Sequence, residues 1–365
     1  MNILLVAGAR PNFIKIAPII DAIKTKQAQG ININYKLIHT GQHYDKNLSD
    51  TFFTELNIPF PDTNLNVKSG TQAEQTAAIM VGFEKELQQH QCDLVMVVGD
   101  VTSTMACAIV AKKAGIKVAH VEAGIRSGDL NMPEEINRIV TDSLTDYFFT
   151  TSTHANNNLI QLGVTKNNIF FVGNVMIDTL LKNKHRLKKP SIWSNLDLKP
   201  NSYLVMTLHR PSNVDEKNNL KALITQIATL AENHPIIFPV HPRTKKILKG
   251  LDLNFSNLHY IDPLSYLEFN YMVKHALAVI TDSGGITEET TVMNVPCITL
   301  RACTERPETC NIGTNVLVGN KTEKIEAAFT SLFSKTWKQG QIPELWDGKT
   351  AERIVNHLIA IYQLQ

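Results

Sequence analysis

Residues 3–15 read Ile3-Leu4-Leu5-Val6-Ala7-Gly8-Ala9-Arg10-Pro11-Asn12-Phe13-Ile14-Lys15. An apolar run too short for a helix meets a glycine, an arginine and a proline, and a helix-patterned stretch follows over 14–25. The run reads as a buried strand and Gly8–Pro11 as the turn into a helix. The same unit recurs along the chain. Apolar runs lie at 3–7, 35–39, 94–98, 118–121, 147–150 and 169–172, and again at 203–208, 236–240, 258–261, 278–281, 297–300 and 316–318. Helix-like segments fall between them, such as 71–90, 103–114, 134–144, 220–232 and 286–293. Alternation of this kind gives parallel sheets covered by helices on both faces. The predicted fold class is α/β, with two doubly wound, Rossmann-like domains of six strands each.

A length of 365 residues suits two domains, each with its own core. The boundary is expected between Gly173 and Pro200, where 182–189 is basic and polar and 190–200 lacks periodicity. That gives an N-terminal domain over 1–173 and a C-terminal domain over 174–350. Residues 351–364 are rich in helix formers and form a closing helix able to pack back on the first domain.

Composition excludes several classes. Hydrophobic residues make up 43% and charged residues 19%, an ordinary globular balance. The net charge is 36 − 34 = +2, which argues against a broad basic surface for nucleic acid. No apolar run approaches the ~20 residues of a membrane span, and 3–9 has no basic residues before it, as a signal peptide would. Cys92, Cys107, Cys297, Cys303 and Cys310 are odd in number and lack C-x-x-C spacing, so neither a disulfide framework nor a structural zinc is expected. A reducing cytoplasm is the expected location. No H-E-x-x-H pattern appears, and no metal or cofactor is expected.

In open parallel sheets ligands bind at the carboxyl ends of strands. Those ends carry Gly8–Pro11, Thr40-Gly41-Gln42-His43, Gly99-Asp100, Glu122-Ala123-Gly124, His209-Arg210-Pro211, His241-Pro242-Arg243 and Asp282-Ser283-Gly284-Gly285. Folding alone does not ask for seven such ends. Ser283-Gly284-Gly285 can cradle an anion at a helix N-terminus, or it can be a plain strand-to-helix turn. Arg10, Lys15, His209, Arg210, Arg301 and Arg306 supply positive charge near strand ends and favour the anion. The G-x-G-x-x-G fingerprint and the P-loop motif are missing, which disfavours a dinucleotide or a hydrolysed triphosphate. A diphosphate inside a larger ligand fits better. Asp100 could cap the next helix, and Glu134 and Glu135 could complement a helix dipole. Glu122 ends an apolar strand where no cap is needed. Three carboxylates gathered beside cations would suit general acid/base chemistry.

These residues resemble one family throughout the chain: the non-hydrolysing UDP-N-acetylglucosamine 2-epimerases. The resemblance runs from Gly8–Lys15 through Val98-Gly99-Asp100, His120–Arg126, Met132–Arg138, Leu208-His209-Arg210, Thr281–Glu289 and Thr304–Glu308 to Gly313-Thr314-Asn315. It implies a fold of the glycosyltransferase-B type with the active site in the interdomain cleft, usually in a homodimer. The implied reaction interconverts UDP-N-acetylglucosamine and UDP-N-acetylmannosamine without metal or NAD, by loss and re-addition of UDP through 2-acetamidoglucal. By position Asp100, Glu122, Glu134 and His209 match the family's catalytic residues. Arg10, Lys15, Ser283, Gly284, Gly285, Glu289 and Arg306 match its nucleotide-sugar contacts, with Glu289 suited to the ribose hydroxyls.

Gln42, His43, Arg210 and His241 match an allosteric site that some members carry, but Thr71 stands where those members have an arginine. Ala9 and Asn12 resemble epimerases acting on UDP-2,3-diacetamido sugars. A hydrolysing epimerase that releases N-acetylmannosamine and UDP is a further alternative. A glycosyltransferase would not need the three carboxylates, and a catalytically silent sensor would have lost some of them.

Overall fold

The computed structural model describes residues 1–41, 53–240, 242–248, 250–251 and 253–365. Gln42, His43 and His241 lie outside the described residues. The chain forms two compact units, Met1–Lys182 with Glu344–Gln365, and Asn183–Pro343.

The first unit holds one parallel sheet of seven strands: β1 (Asn2–Ala7), β2 (Asn34–His39), β3 (Thr63–Asn64), β4 (Leu94–Val98), β5 (Lys117–Val121), β6 (Tyr147–Thr150) and β7 (Ile169–Phe171). Their spatial order is β3-β2-β1-β4-β5-β6-β7. Helices α1 (Arg10–Ala28), α2 (Gln72–Gln89), α3 (Thr102–Lys113), α4 (Pro133–Leu144), α5 (Thr153–Gln161) and α6 (Val175–Asn183) connect or follow them. Six strands were expected here. The seventh, β3, pairs only Thr63 and Asn64 with Ile38 and His39, too short a stretch to show any period.

The second unit holds six parallel strands: β8 (Leu204–Thr207), β9 (Ile236–Pro239), β10 (Leu258–Ile261), β11 (Ala278–Thr281), β12 (Cys297–Thr299) and β13 (Asn315–Leu317), ordered β10-β9-β8-β11-β12-β13. Its main helices are α7 (Lys217–Leu230), α8 (Tyr266–His275), α9 (Gly284–Met293) and α10 (Thr322–Phe333). Alternate residues of each strand feed opposite cores. Leu204, Met206, Ile236, Phe238 and Ile280 pack with α7 and α10, whereas Tyr203, Val205, Ile237 and Val279 pack with α8. Both faces are therefore buried, which is why these strands read as continuous apolar runs.

Local chemistry fixes the long-range joins. Pro11 sits in the first turn of α1, where a missing N–H costs nothing. Pro18 lies inside α1 and cannot donate to the Ile14 carbonyl; Thr179 Oγ1 of α6 donates to it instead, at 2.6 Å. That bond ties α6 to the first unit, although its residues follow the expected boundary at 173. The C-terminal helix Thr350–Tyr362 packs on α1, and Asp178 of α6 accepts from the Thr350 and Ala351 N–H groups at 3.1 and 2.7 Å. Gly173, at φ +98°, lets the segment before that helix approach: a Cβ there would lie 2.1 Å from the Leu345 carbonyl oxygen.

Candidate active site

Strand order reverses between β1 and β4 in the first sheet and between β8 and β11 in the second. Loops leaving the carboxyl ends on either side of such a point part to opposite faces, and a crevice opens. Arg10, Lys15 and Gly99-Asp100 lie beside the first of these points, and His209, Arg210 and Ser283–Gly285 beside the second.

In the first unit, Gly99-Asp100 follows β4 and Glu122 follows its neighbour β5. Glu122 is 1% exposed and adopts φ +74°, a left-handed conformation that costs a non-glycine residue roughly 1 kcal/mol. Its N–H and that of Ala123 both donate to the Phe149 carbonyl, at 3.0 and 3.1 Å, which holds the turn. Glycine would relieve the strain, and a carboxylate is kept there instead. Lys15, from the first turns of α1, makes an ion pair with Glu122 Oε2. Asn12 ties α1 to β4 by donating to the Val98 carbonyl at 2.8 Å. A Cβ on Gly99 would lie 3.3 Å from both Asn12 Nδ2 and Lys15 Nζ and 3.5 Å from Glu122 Oε2. Lys15, Glu122 and the Asp100 turn thus share one locus.

Asp100 does not cap α3, whose N-cap is Val101 without a side-chain bond. Its carboxylate accepts from Arg138 Nε and Nη2 at 3.1 and 2.6 Å. Arg138 also donates to Glu135, at 2.6 Å, and Glu135 accepts the Ser127 and Gly128 N–H groups. Burial works to raise the Glu135 carboxyl, but those donors hold it below the usual range. Glu135 is thus structural, while Glu134 stands exposed in the first turn of α4. Arg10 is exposed at the start of α1.

Beneath this surface lies His120 of β5, 0% exposed. Its Nδ1 faces Asp142 Oδ1 at 2.7 Å and its Nε2 faces the Gly99 carbonyl at 2.8 Å. Burial pushes the Asp142 carboxyl up, but His120 and Arg126 more than offset this and keep it below its ordinary value. Asp142 also accepts the Gly124 N–H at 3.0 Å. The loops carrying Asp100 and Glu122 are therefore pinned from below.

In the second unit, His209 and Arg210 follow β8, and Asp282 follows β11. Asp282, 0% exposed, accepts from the His209 and Arg210 N–H groups and from Asn213 Nδ2 at 3.0–3.2 Å. His209 Nδ1 lies 2.7 Å from Asp282 Oδ1, which leaves the half-exposed ring presenting Nε2 outward. Burial raises the Asp282 carboxyl, yet these donors hold it below the usual range. Arg210 Nε donates to the Asp282 carbonyl at 3.0 Å. Next come Ser283, Gly284 and Gly285, the N-cap and first two residues of α9; the Ser283 N–H donates to Thr281 Oγ1 at 3.0 Å, and the N-terminus of the helix favours an anion. Glu289, one turn on, is buried and accepts from Tyr266 Oη at 2.8 Å; burial pushes its carboxyl up to about 7. Arg306, after β12, is buried against Glu288.

Sequence reasoning missed Asp282 as an orienting group and passed over His120, Asp142 and Arg138. A histidine inside an apolar strand, and an arginine three residues after Glu135, were the available signals. Among the described residues, no group of three His, Cys, Asp or Glu side chains could hold a metal ion. None of the described helices is long and apolar enough to cross a membrane.

A family model described as UDP-N-acetylglucosamine 2-epimerase matches residues 25–359. A UDP-N-acetylglucosamine 2-epimerase of Methanocaldococcus jannaschii is 43% identical over 370 residues, covering 98% of this chain and 99% of that protein. A UDP-2,3-diacetamido-2,3-dideoxy-D-glucuronate 2-epimerase of Pseudomonas aeruginosa is 36% identical, covering 98% and 99%. The crystal structure of an M. jannaschii UDP-GlcNAc 2-epimerase in complex with UDP-GlcNAc and UDP superposes with a TM-score of 0.89 at 42% identity, covering 99% of this chain and 100% of that one. A lipopolysaccharide outer core galactosyltransferase, 14% identical with a TM-score of 0.55, covers 100% of this chain and 99% of that one and shares the glycosyltransferase-B-like fold alone.

Proposed function

The chain belongs to the UDP-N-acetylglucosamine 2-epimerase family, and on that premise we propose that it interconverts UDP-N-acetylglucosamine and UDP-N-acetylmannosamine. A carboxylate takes the C2 proton, the C2–H electron pair becomes the C1=C2 bond of 2-acetamidoglucal, and the C1–O pair leaves with UDP. A proton then returns to the opposite face of C2 as a UDP oxygen attacks C1. Two faces call for two acid/base groups, and Asp100 and Glu122 on adjacent strand ends, with Glu134 beyond them, are the candidates.

The second unit serves the leaving group. Donors at the α9 N-terminus and the cations His209 and Arg306 stabilise charge on the departing diphosphate, and Arg10 of the first unit is a further contact to the nucleotide sugar. His209 faces outward because Asp282 fixes its other nitrogen. Glu289 serves the ribose.

One observation carries the reading: Glu122 is retained in a left-handed, buried conformation that favours glycine. Strain of this kind persists where the side chain is needed. Incubation with UDP-N-acetylglucosamine, followed by NMR of the products, tests it. UDP-N-acetylmannosamine with UDP attached is expected, whereas free N-acetylmannosamine and UDP point to hydrolysis. No turnover with this sugar but turnover with a UDP-2,3-diacetamido sugar would move the assignment to the substrate of the P. aeruginosa relative.

The working form is proposed to be a homodimer. Val81 of α2 and Ile136 and Ile139 of α4 are exposed large apolar residues on helices that both pack against α3. Free cysteines fit a reducing cytoplasm.

A further inference from the structure

We propose that Arg301 is a further anion-binding residue at the α9 N-terminus, reading the charge of the diphosphate. Arg301 follows β12, whose neighbour β11 leads into α9, and the Leu300 N–H donates to the Thr281 carbonyl at 2.8 Å. Arg301 is 6% exposed, and Nη2 pairs with Glu305 Oε2 at 2.5 Å. Nη1 is buried without a hydrogen-bond partner. It stands beside Gly284: a Cβ built there would lie 3.8 Å from Nη1 and 2.8 Å from Glu305 Oε1.

The N-terminus of a helix carries roughly half a positive charge, which the nearby Glu305 carboxylate suits and the Arg301 guanidinium does not. Glu305 occupies Nη2 and leaves Nη1 buried and without a hydrogen-bond partner. Ser283 is a strong capping residue by type, yet its side chain makes no cap bond. A buried arginine donor, an unused capping hydroxyl and two glycines meet at one helix end. An anion satisfies all of them together. When the C1–O bond breaks, the leaving diphosphate gains negative charge, and Arg301 opposes it. Glu305 holds the guanidinium in place and is a positioning residue.

The assignment rests on the nucleotide-sugar reading above, and calorimetric titration of UDP and uridine separates the two. Arg301→Gln is the direct variant. Arg301→Met with Glu305→Met removes the pair without stranding a buried carboxylate. In both, the preference for UDP over uridine should fall about 10- to 100-fold, the worth of one charge-assisted hydrogen bond, with uridine affinity unchanged. Arg301→Lys should recover part of it. A wild-type preference retained in both variants overturns the role of Arg301 alone. Wild-type protein that does not bind UDP overturns the nucleotide-sugar reading with it.

Discussion

Replacing Asp282 by asparagine changes one oxygen to an amide and should expose how much rests on that carboxylate. Asp282 is fully buried and takes hydrogen bonds from two backbone N–H groups, the Asn213 amide and His209 Nδ1. In Asp282→Asn one acceptor becomes a donor facing other donors. Losing a charge-assisted bond and leaving a buried donor unpaired should destabilise the protein by about 2–4 kcal/mol at pH 7. The carboxyl is held below its ordinary value of 3.8, so the folded state binds fewer protons than the unfolded chain. Its contribution is complete above that unfolded value and is lost as pH falls through the folded one. Urea denaturation of both proteins should therefore show the gap at pH 7 and its closure in acid. Turnover should fall ~100-fold or more, because His209 loses the group that fixes its ring. Equal stability at pH 7, or a gap that persists in acid, would refute the reasoning.

Asp178→Ala should cost about 1–2 kcal/mol through loss of the cap on the C-terminal helix, read by thermal unfolding, with turnover unchanged at low temperature. Glu289 titrates near 7, so UDP affinity measured by calorimetry should rise as pH climbs through that value and lose this dependence in Glu289→Gln. Its folded value lies above the unfolded 4.5, so its contribution to stability is fullest below 4.5 and is lost as pH rises to 7. Ile139→Asp should convert a dimer to monomer in light scattering, with little change in unfolding temperature, because the side chain is exposed.

Strands buried on both faces announce themselves as apolar runs, so twelve of the thirteen in the two sheets were legible from sequence. β3 was not, because two residues of an edge strand carry no period. The loaded strand ends were legible for a related reason: little in a strand-to-helix turn of a folding core asks for Asp100, Glu122, His209 or Ser283. What supports those ends was hidden. Asp142 and Arg138 lie on one face of α4 and matter only because the fold brings them under β4 and β5, contacts separated by 22 and 38 residues. The strain at Glu122 is likewise a backbone property that no residue type announces.

Epimerisation by this route takes the C2 proton onto a carboxylate and delivers a solvent-derived one to the other face. Turnover of UDP-N-acetylglucosamine in deuterated water, followed by NMR, tests it most directly. The expected product is UDP-N-acetylmannosamine carrying deuterium at C2 with UDP still attached, formed ~100-fold or more slowly by Glu122→Gln. Full conversion with the original hydrogen retained at C2 would contradict it.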